Sequence, residues 1–207
     1  MNAILITNFN KKKWVELWVQ IIRSFTNEYF ICVVDNHPGK NYFKEADQSL
    51  FVTPSGNRIA GDISLTNAGM EYLAGIDGLE FIVKTCADTW LFDETKLLEL
   101  ISRMKSSGKD FLSSHWEHPW DMAFDFFVIS KEFMKEVFPI PNKHSPEIYL
   151  GKTLDKDRVF YWTEREPIHE NRKRRFVWPE LCFVTSHNLE ENIRIVESVS
   201  TNLRFKT

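Results

Sequence analysis

Asp88 is the residue with the clearest chemical opening. It follows the apolar run Phe81-Ile82-Val83, which is short, rich in strand-forming residues and preceded by the turn signal Asp77-Gly78. The spacing therefore predicts a buried strand with Asp88 at or just past its carboxyl end. In open α/β sheets ligands bind in the crevice beyond those ends, so a carboxylate there is placed to touch substrate; a plain turn role is the alternative. Asp93, followed by Glu94, Thr95 and Lys96, reads as the N-cap of the next helix instead.

A second cluster is Ser114-His115-Trp116-Glu117-His118-Pro119-Trp120-Asp121. Carboxylates and imidazoles this dense suit proton transfer, and the indoles suit stacking on a sugar face or packing in a core. His115 and His118 lack the i, i+4 helical pairing of zinc proteases, and Pro119 argues against a helix, so a polar loop is the better reading than a metal site. Arg172-Lys173-Arg174-Arg175 matches phosphate oxygens or forms a solvated loop. Ser186-His187-Asn188 reads as a helix start capped by Ser186 or Asn188.

The elements that must position these groups follow from periodicity. Ala3–Thr7 reads as a strand, Lys12–Phe25 as an amphipathic helix through Trp14, Leu17, Trp18, Ile21 and Ile22, and Tyr29–Val34 as a second buried strand. Strand, helix, strand at this spacing implies a right-handed crossover and a parallel pair. A short strand at Ser49–Thr53, a helix at Leu65–Ala74, the strand Phe81–Thr85 and a helix at Glu94–Ser106 complete the first half. In the second half Asp110–Ser114, Phe124–Ile129, Val159–Trp162 and Leu181–Thr185 read as strands. Lys131–Val137, Ser145–Leu154 and Leu189–Ser198 read as helices, and residues 163–180 as charged and irregular.

At 207 residues and 43% hydrophobic the chain fills one core, and no internal repeat divides it. The formal charge of −3 announces no nucleic acid. Cys32, Cys86 and Cys182 lie singly in apolar segments, which fits a reducing, cytoplasmic setting rather than a disulfide framework. No stretch approaches the roughly 18 apolar residues of a membrane span, and the N-terminus has no basic region ahead of its apolar run.

Four segments in order carry a family resemblance: Val33-Val34-Asp35-Asn36, Asn57 to Gly61, Asn67-Ala68-Gly69, and Cys86-Ala87-Asp88. Together they make residues 3–105 resemble the nucleotide-binding half of GT-A fold glycosyltransferases of the inverting family 2 type. There a second strand ends in Asp-Asn or Asp-Asp, an Asn-x-Gly type loop and a helix with Asn-x-Gly follow, and a further strand ends in Asp-x-Asp. Asp125 to Glu132 looks like the acceptor-side strand and helix of some members.

The resemblance implies an α/β fold with a mostly parallel central sheet flanked by helices, in one GT-A-like domain spanning 1–207. Residues 1–108 would be its nucleotide-binding half and 109–207 its acceptor half. It implies transfer of a sugar from a nucleotide-diphosphate donor to a saccharide or other hydroxyl acceptor, with no nucleic acid partner. Asp88, joined by His187, would hold Mn²⁺ or Mg²⁺. Thr7, Asn8 and Asp35 would line the nucleoside pocket, and Asn57, Gly61 and Asn67 would surround the donor. Asp121, or second Glu117, would take the acceptor proton. Cys86 departs from the motif: a soft thiol does not replace a carboxylate for a hard ion. Two rivals follow, a GT-A-like binding module that has lost chemistry and a sugar nucleotidyltransferase. The latter normally carries a Gly-rich basic signature near the first strand, and Asn8 to Lys13 contains no glycine.

Overall fold

Ala3, Ile4, Leu5 and Ile6 are all fully buried, which a strand achieves only when both of its faces are covered. They form the middle of β1 (Asn2–Asn8), the centre of a seven-stranded sheet in the computed structural model of the chain. The structure describes residues 1–37, 39, 42–53, 58–115, 122–142, 145–162, 175–178, 183–186, 188–199 and 205; for 58–60, 114–115, 175–178, 183–186 and 199 it describes the backbone alone.

On one side β1 pairs in parallel with β2 (Tyr29–Asp35), which pairs in parallel with β3 (Gln48–Phe51). On the other it pairs in parallel with β4 (Phe81–Cys86). Beyond β4 lie, in order, β7 (Met122–Ser130), β6 (Phe111–His115) and β8 (Val159–Tyr161). Only β7 runs against the rest, antiparallel to both neighbours. The chain is thus α/β with a mostly parallel central sheet.

Helices cover both faces. Against one pack α1 (Lys12–Arg23) through Val15, Trp18, Val19 and Ile22, and α3 (Glu94–Ser106) through Leu97, Ile101 and Met104. Against the other pack α2 (Arg58–Ala74), α4 (Lys131–Val137) and α5 (Pro146–Thr153). Each fully buried Leu, Ile or Phe contributes about 1.5–3 kcal/mol relative to leaving it in water. Local rules set the ends: Asp93 accepts from Lys96 N over 3.2 Å as the cap of α3, and Gly108, at φ +67°, follows where that helix stops.

Three elements differ from the sequence expectation. Helix α2 begins at Arg58, so Gly61 lies within its first turns and not in a loop; Gly61 and Asp62, both weak helix formers, hide that start from periodicity. A short strand β5 (Thr89–Leu91) follows Asp88 at once, and β9 (Arg175–Trp178) falls within the stretch read as irregular. With β10 (Phe183–Ser186) between them they form a separate antiparallel sheet. The last helix, α6 (Leu189–Val199), packs Ile195 and Val196 into the core beside α1 and α3.

Candidate active site at the carboxyl ends of the parallel strands

Parallel pairing brings the carboxyl ends of β1, β2 and β4 into line: Asn8 is the register partner of Asp35, and Thr7 of Cys86. On the α1 face, the Asn8 amide donates to Asp35 Oδ1 over 2.8 Å, and Asn8 Oδ1 accepts from Lys11 N over 2.9 Å. Both side chains are fully buried, so Asp35 is covered where the resemblance would have it meet a nucleobase. The adjacent Asn36 is also buried, and its amide nitrogen has no hydrogen-bond partner among the described residues.

On the α2 face the chain buries a lysine. Lys84 follows Phe81-Ile82-Val83 in β4 with no exposure at all, and its ammonium donates to Phe124 O over 2.7 Å and to Cys86 Sγ over 3.3 Å. It also lies 3.6 Å from Asp62 Oδ1 and 4.2 Å from the Phe124 ring centroid. Burial works against the charged lysine, but Asp62, Cys86 and Asp125 outweigh it and hold the pKa above the ordinary lysine value. Thr7 Oγ1 donates to Asp62 Oδ1 over 3.2 Å, completing a polar knot between β1, β4 and α2.

Cys86 sits inside this knot. Burial is the main cause that pushes its thiol well above the ordinary value, with Lys84 pulling the other way, so the sulfur is a neutral S–H at physiological pH. Asp125, on the opposing strand β7, has an oxygen 3.8 Å from that sulfur. Burial pushes Asp125 up to about 6, Lys84 opposes the shift, and Asp88 and Asp62 add to it.

Asp88 lies in the turn between β4 and β5, as its position after the apolar run predicts. Its backbone carbonyl accepts from the Asn192 amide of α6 over 3.0 Å. Its carboxylate accepts from the ammonium of Lys11, the residue that opens α1.

Gly61 is buried in α2. Asn67, further along that helix, is engaged elsewhere: its amide donates to Ile140 O over 2.8 Å and its oxygen accepts from Ile140 N over 2.9 Å. Asn57, Glu117, Asp121 and His187 lie outside the described residues. His115 ends β6 as the register partner of Met122 at the start of β7. Since β6 runs the same way as β4, that end of the hairpin lies on the same edge of the sheet as Cys86.

Sequence reasoning passed over Lys11, Asp62 and Lys84, and named Asp125 only as the start of an acceptor-side strand. The signal for Lys84 was present: a lysine inside a strand otherwise read as buried demands a carboxylate nearby.

No protein-family model matches the chain, and no curated protein matches it by sequence. Solved structures do match in fold. A mannosyltransferase from Pyrobaculum calidifontis, solved with GDP-mannose and Mn²⁺, superposes with a TM-score of 0.54 at 12% identity, over 81% of this chain and 57% of that one. The glycosyltransferase GlyE of Streptococcus pneumoniae gives 0.50 at 11%, over 76% and 44%. A cytidylyltransferase from Leptospira borgpetersenii gives 0.52 at 13%, over 98% and 87%. This chain therefore spans about half the length of the two glycosyltransferases. The matches establish a GT-A-like fold. Among the described residues no helix is long and apolar enough to cross a membrane.

The donor set at Asp88 does not fit a hard divalent ion as it is arranged. Such ions prefer several oxygen ligands, whereas here the Asp88 carboxylate is paired with an ammonium and the neighbouring motif position is sulfur. Among the described residues no three His, Cys, Asp or Glu side chains are grouped as a metal site requires.

Proposed function

We propose that the chain transfers a sugar from a nucleotide-diphosphate donor to a hydroxyl acceptor. The observation that carries this reading is the convergence of Thr7, Asn8, Asp35 and Asp88 at one edge of a sheet with GT-A-like topology. In that reading Asp35, held by Asn8, and the neighbouring Asn36 recognise the base once the chain covering them yields. The diphosphate lies over the turn at Asp88, and Asn57 and Gly61 border the donor.

In the transfer the bond between the anomeric carbon and the phosphate oxygen breaks, the acceptor oxygen bonds to that carbon, and its proton passes to a carboxylate. Asp121 and Glu117 are the sequence candidates for that proton. Asp125 is a third, because a carboxylate titrating near 6 is ionised at neutral pH and a stronger base than an ordinary one. Mn²⁺ or Mg²⁺, with His187 as a further ligand, would reach Asp88 only by displacing the Lys11 ammonium, and no step here depends on it.

The test is thermal unfolding against nucleoside diphosphates and nucleotide sugars, with and without Mn²⁺. A ligand selective for the folded state adds roughly 2.7 kcal/mol at a hundredfold excess over its dissociation constant. A panel without any shift would remove the donor reading.

A second reading is favoured by one observation: the chain covers 87% of the cytidylyltransferase but only 57% of the mannosyltransferase. A sugar nucleotidyltransferase would bind a nucleoside triphosphate and release pyrophosphate, so a CTP- or UTP-specific shift with pyrophosphate release separates the two. Nucleotide binding without turnover of any donor would instead mark a binding module.

A further inference from the structure

We propose that Lys11, held in place by Asp88, supplies the positive charge facing the donor diphosphate, so that donor binding needs no divalent ion. The proposal rests on the donor reading above and concerns how that site handles charge.

The geometry of Lys11 carries it. Asp88 is the only carboxylate of the Asp-x-Asp position that this chain keeps, and Lys11 Nζ donates to its Oδ2. The Lys11 side chain is 28% exposed and that of Asp88 only 12%, so the carboxylate is covered while the ammonium retains access to solvent. An ammonium has three N–H donors, and the bond to Asp88 uses one. Lys11 is positioned from three directions: Asn8 Oδ1 accepts from its backbone N–H, its Nζ lies 4.9 Å from the Trp14 ring centroid, and Asn10 before it takes φ +58°. The side chain, held by Asp88 and Trp14 on a backbone that Asn8 fixes, is pre-organised rather than left to wander in solvent.

The pairing at Asp88 disfavours a divalent ion as well. A divalent ion ligated by Asp88 would have to sit against the Lys11 ammonium, with no screening carboxylate at position 86. The sulfur there already accepts from the buried Lys84 ammonium. Lys84 is fully buried and faces Asp62, whereas Lys11, paired with Asp88, is the ammonium among the described residues at this turn that keeps access to solvent. The first turn of α1 adds Lys12 and Lys13 with no acidic residue and no side-chain cap, the reverse of what the positive end of a helix favours on its own. As the anomeric bond breaks, charge builds on the departing diphosphate oxygens, and N–H donors already aimed at them stabilise it.

The experiment is calorimetric titration of the full chain with UDP, GDP, ADP, CDP and dTDP, first in EDTA and then in Mn²⁺, for the wild type, Lys11→Gln, Lys11→Arg and Asp88→Asn. The nucleotide that binds is expected to bind with the same affinity in both media. Lys11→Gln should weaken it about tenfold or more in EDTA, and Lys11→Arg should restore most of the loss. Asp88→Asn removes the carboxylate that holds Lys11 and should weaken binding in EDTA, though by less than Lys11→Gln. Binding that appears only with Mn²⁺, or Lys11→Gln binding like the wild type in a variant that still unfolds cooperatively, overturns the proposal while leaving the donor reading intact. No binding by the wild type in either medium overturns both.

Discussion

Asn8 and Asp35 are register partners at the carboxyl ends of β1 and β2, fully buried and joined by an amide-to-carboxylate hydrogen bond of 2.8 Å across 27 residues of sequence. The pair locks the two strand ends together at the edge where the donor is proposed to sit. Asn8→Asp replaces the donor with a second buried carboxylate, and two such groups at this distance cannot both ionise. The expected result is a loss of about 2–4 kcal/mol in urea unfolding at pH 7 that shrinks as pH falls towards 4, since protonating one carboxyl restores a hydrogen bond. A pH-independent loss would mean that the pair is mere packing.

Lys84 should be among the most sensitive positions in the chain. Lys84→Met keeps the volume but removes the buried ammonium that Phe124 O, Cys86 and Asp62 all face. Breaking a buried charge pair from one side costs about 3–5 kcal/mol. The double variant Lys84→Met with Asp62→Leu should recover part of that loss, and urea denaturation of both measures the coupling.

Glu94 ties the end of α1 to the start of α3. Its carboxylate accepts from Thr26 N and Thr26 Oγ1, each at 2.7 Å, and from Asn27 N and Nδ2 at 3.1 and 2.9 Å. Burial acts to raise its pKa, but these four hydrogen bonds outweigh burial and bring it below the ordinary glutamate value. A depressed acid stabilises the fold above its unfolded-state pKa, about 4.3, and that contribution disappears as pH falls through the lower folded-state value. Glu94→Gln should therefore lose about 1–3 kcal/mol at pH 7 and converge on the wild type in acid. Parallel stability curves from pH 7 to pH 2 would contradict the assignment.

Asp125 has the opposite sign. Raised to about 6, chiefly by burial, it binds its proton more tightly folded than unfolded, so its contribution is complete below about pH 4 and is lost as pH rises through 6. Asp125→Asn should flatten the stability curve across that window and gain on the order of 1 kcal/mol at pH 7. If Asp125 also takes the acceptor proton, the same variant loses turnover while gaining stability.

Gly69 lets α2 lie against β1. A Cβ there would come within 2.3 Å of Leu5 Cδ1 and 3.0 Å of Val34 Cγ2, both in the filled core. Alanine is favoured over glycine by about 1 kcal/mol inside a helix, yet overpacking here should win, for a net loss of about 1–3 kcal/mol in Gly69→Ala. Leu5→Ala in the same chain should relieve part of it, which thermal unfolding of the pair would reveal.

The central sheet was legible because its strands are buried on both faces and read as unbroken apolar runs: Ala3 to Ile6, Ile31 to Val34 and Phe81 to Val83. The small second sheet was not. Thr89-Trp90-Leu91 is three residues long, and its partner, Phe183 to Thr185, lies far along the chain, so no local pattern betrays the pairing. The same limit applies to the site. Asp88 was placed correctly by the end of an apolar run, whereas its bond to Lys11 depends on a loop conformation with Asn10 at positive φ. Asn67 shows the converse: a motif position read as part of the donor's surroundings has both ends of its amide on the backbone of Ile140, a contact between α2 and a distant loop that spacing does not encode.

The bond from Asn192 to the carbonyl of Asp88 spans 104 residues, and β5, next to Asp88, pairs with β10 just ahead of α6. During synthesis the first four parallel strands are available to associate early, but the turn that holds Asp88 acquires its last supports only after α6 has left the ribosome. Domains generally begin to form from their N-terminal side, and contacts this remote close late. The nascent chain can therefore shape its sheet well before the turn at Asp88 is finished, and a chain stalled before residue 192 would be folded in part but would lack the bond that Asn192 makes to that turn.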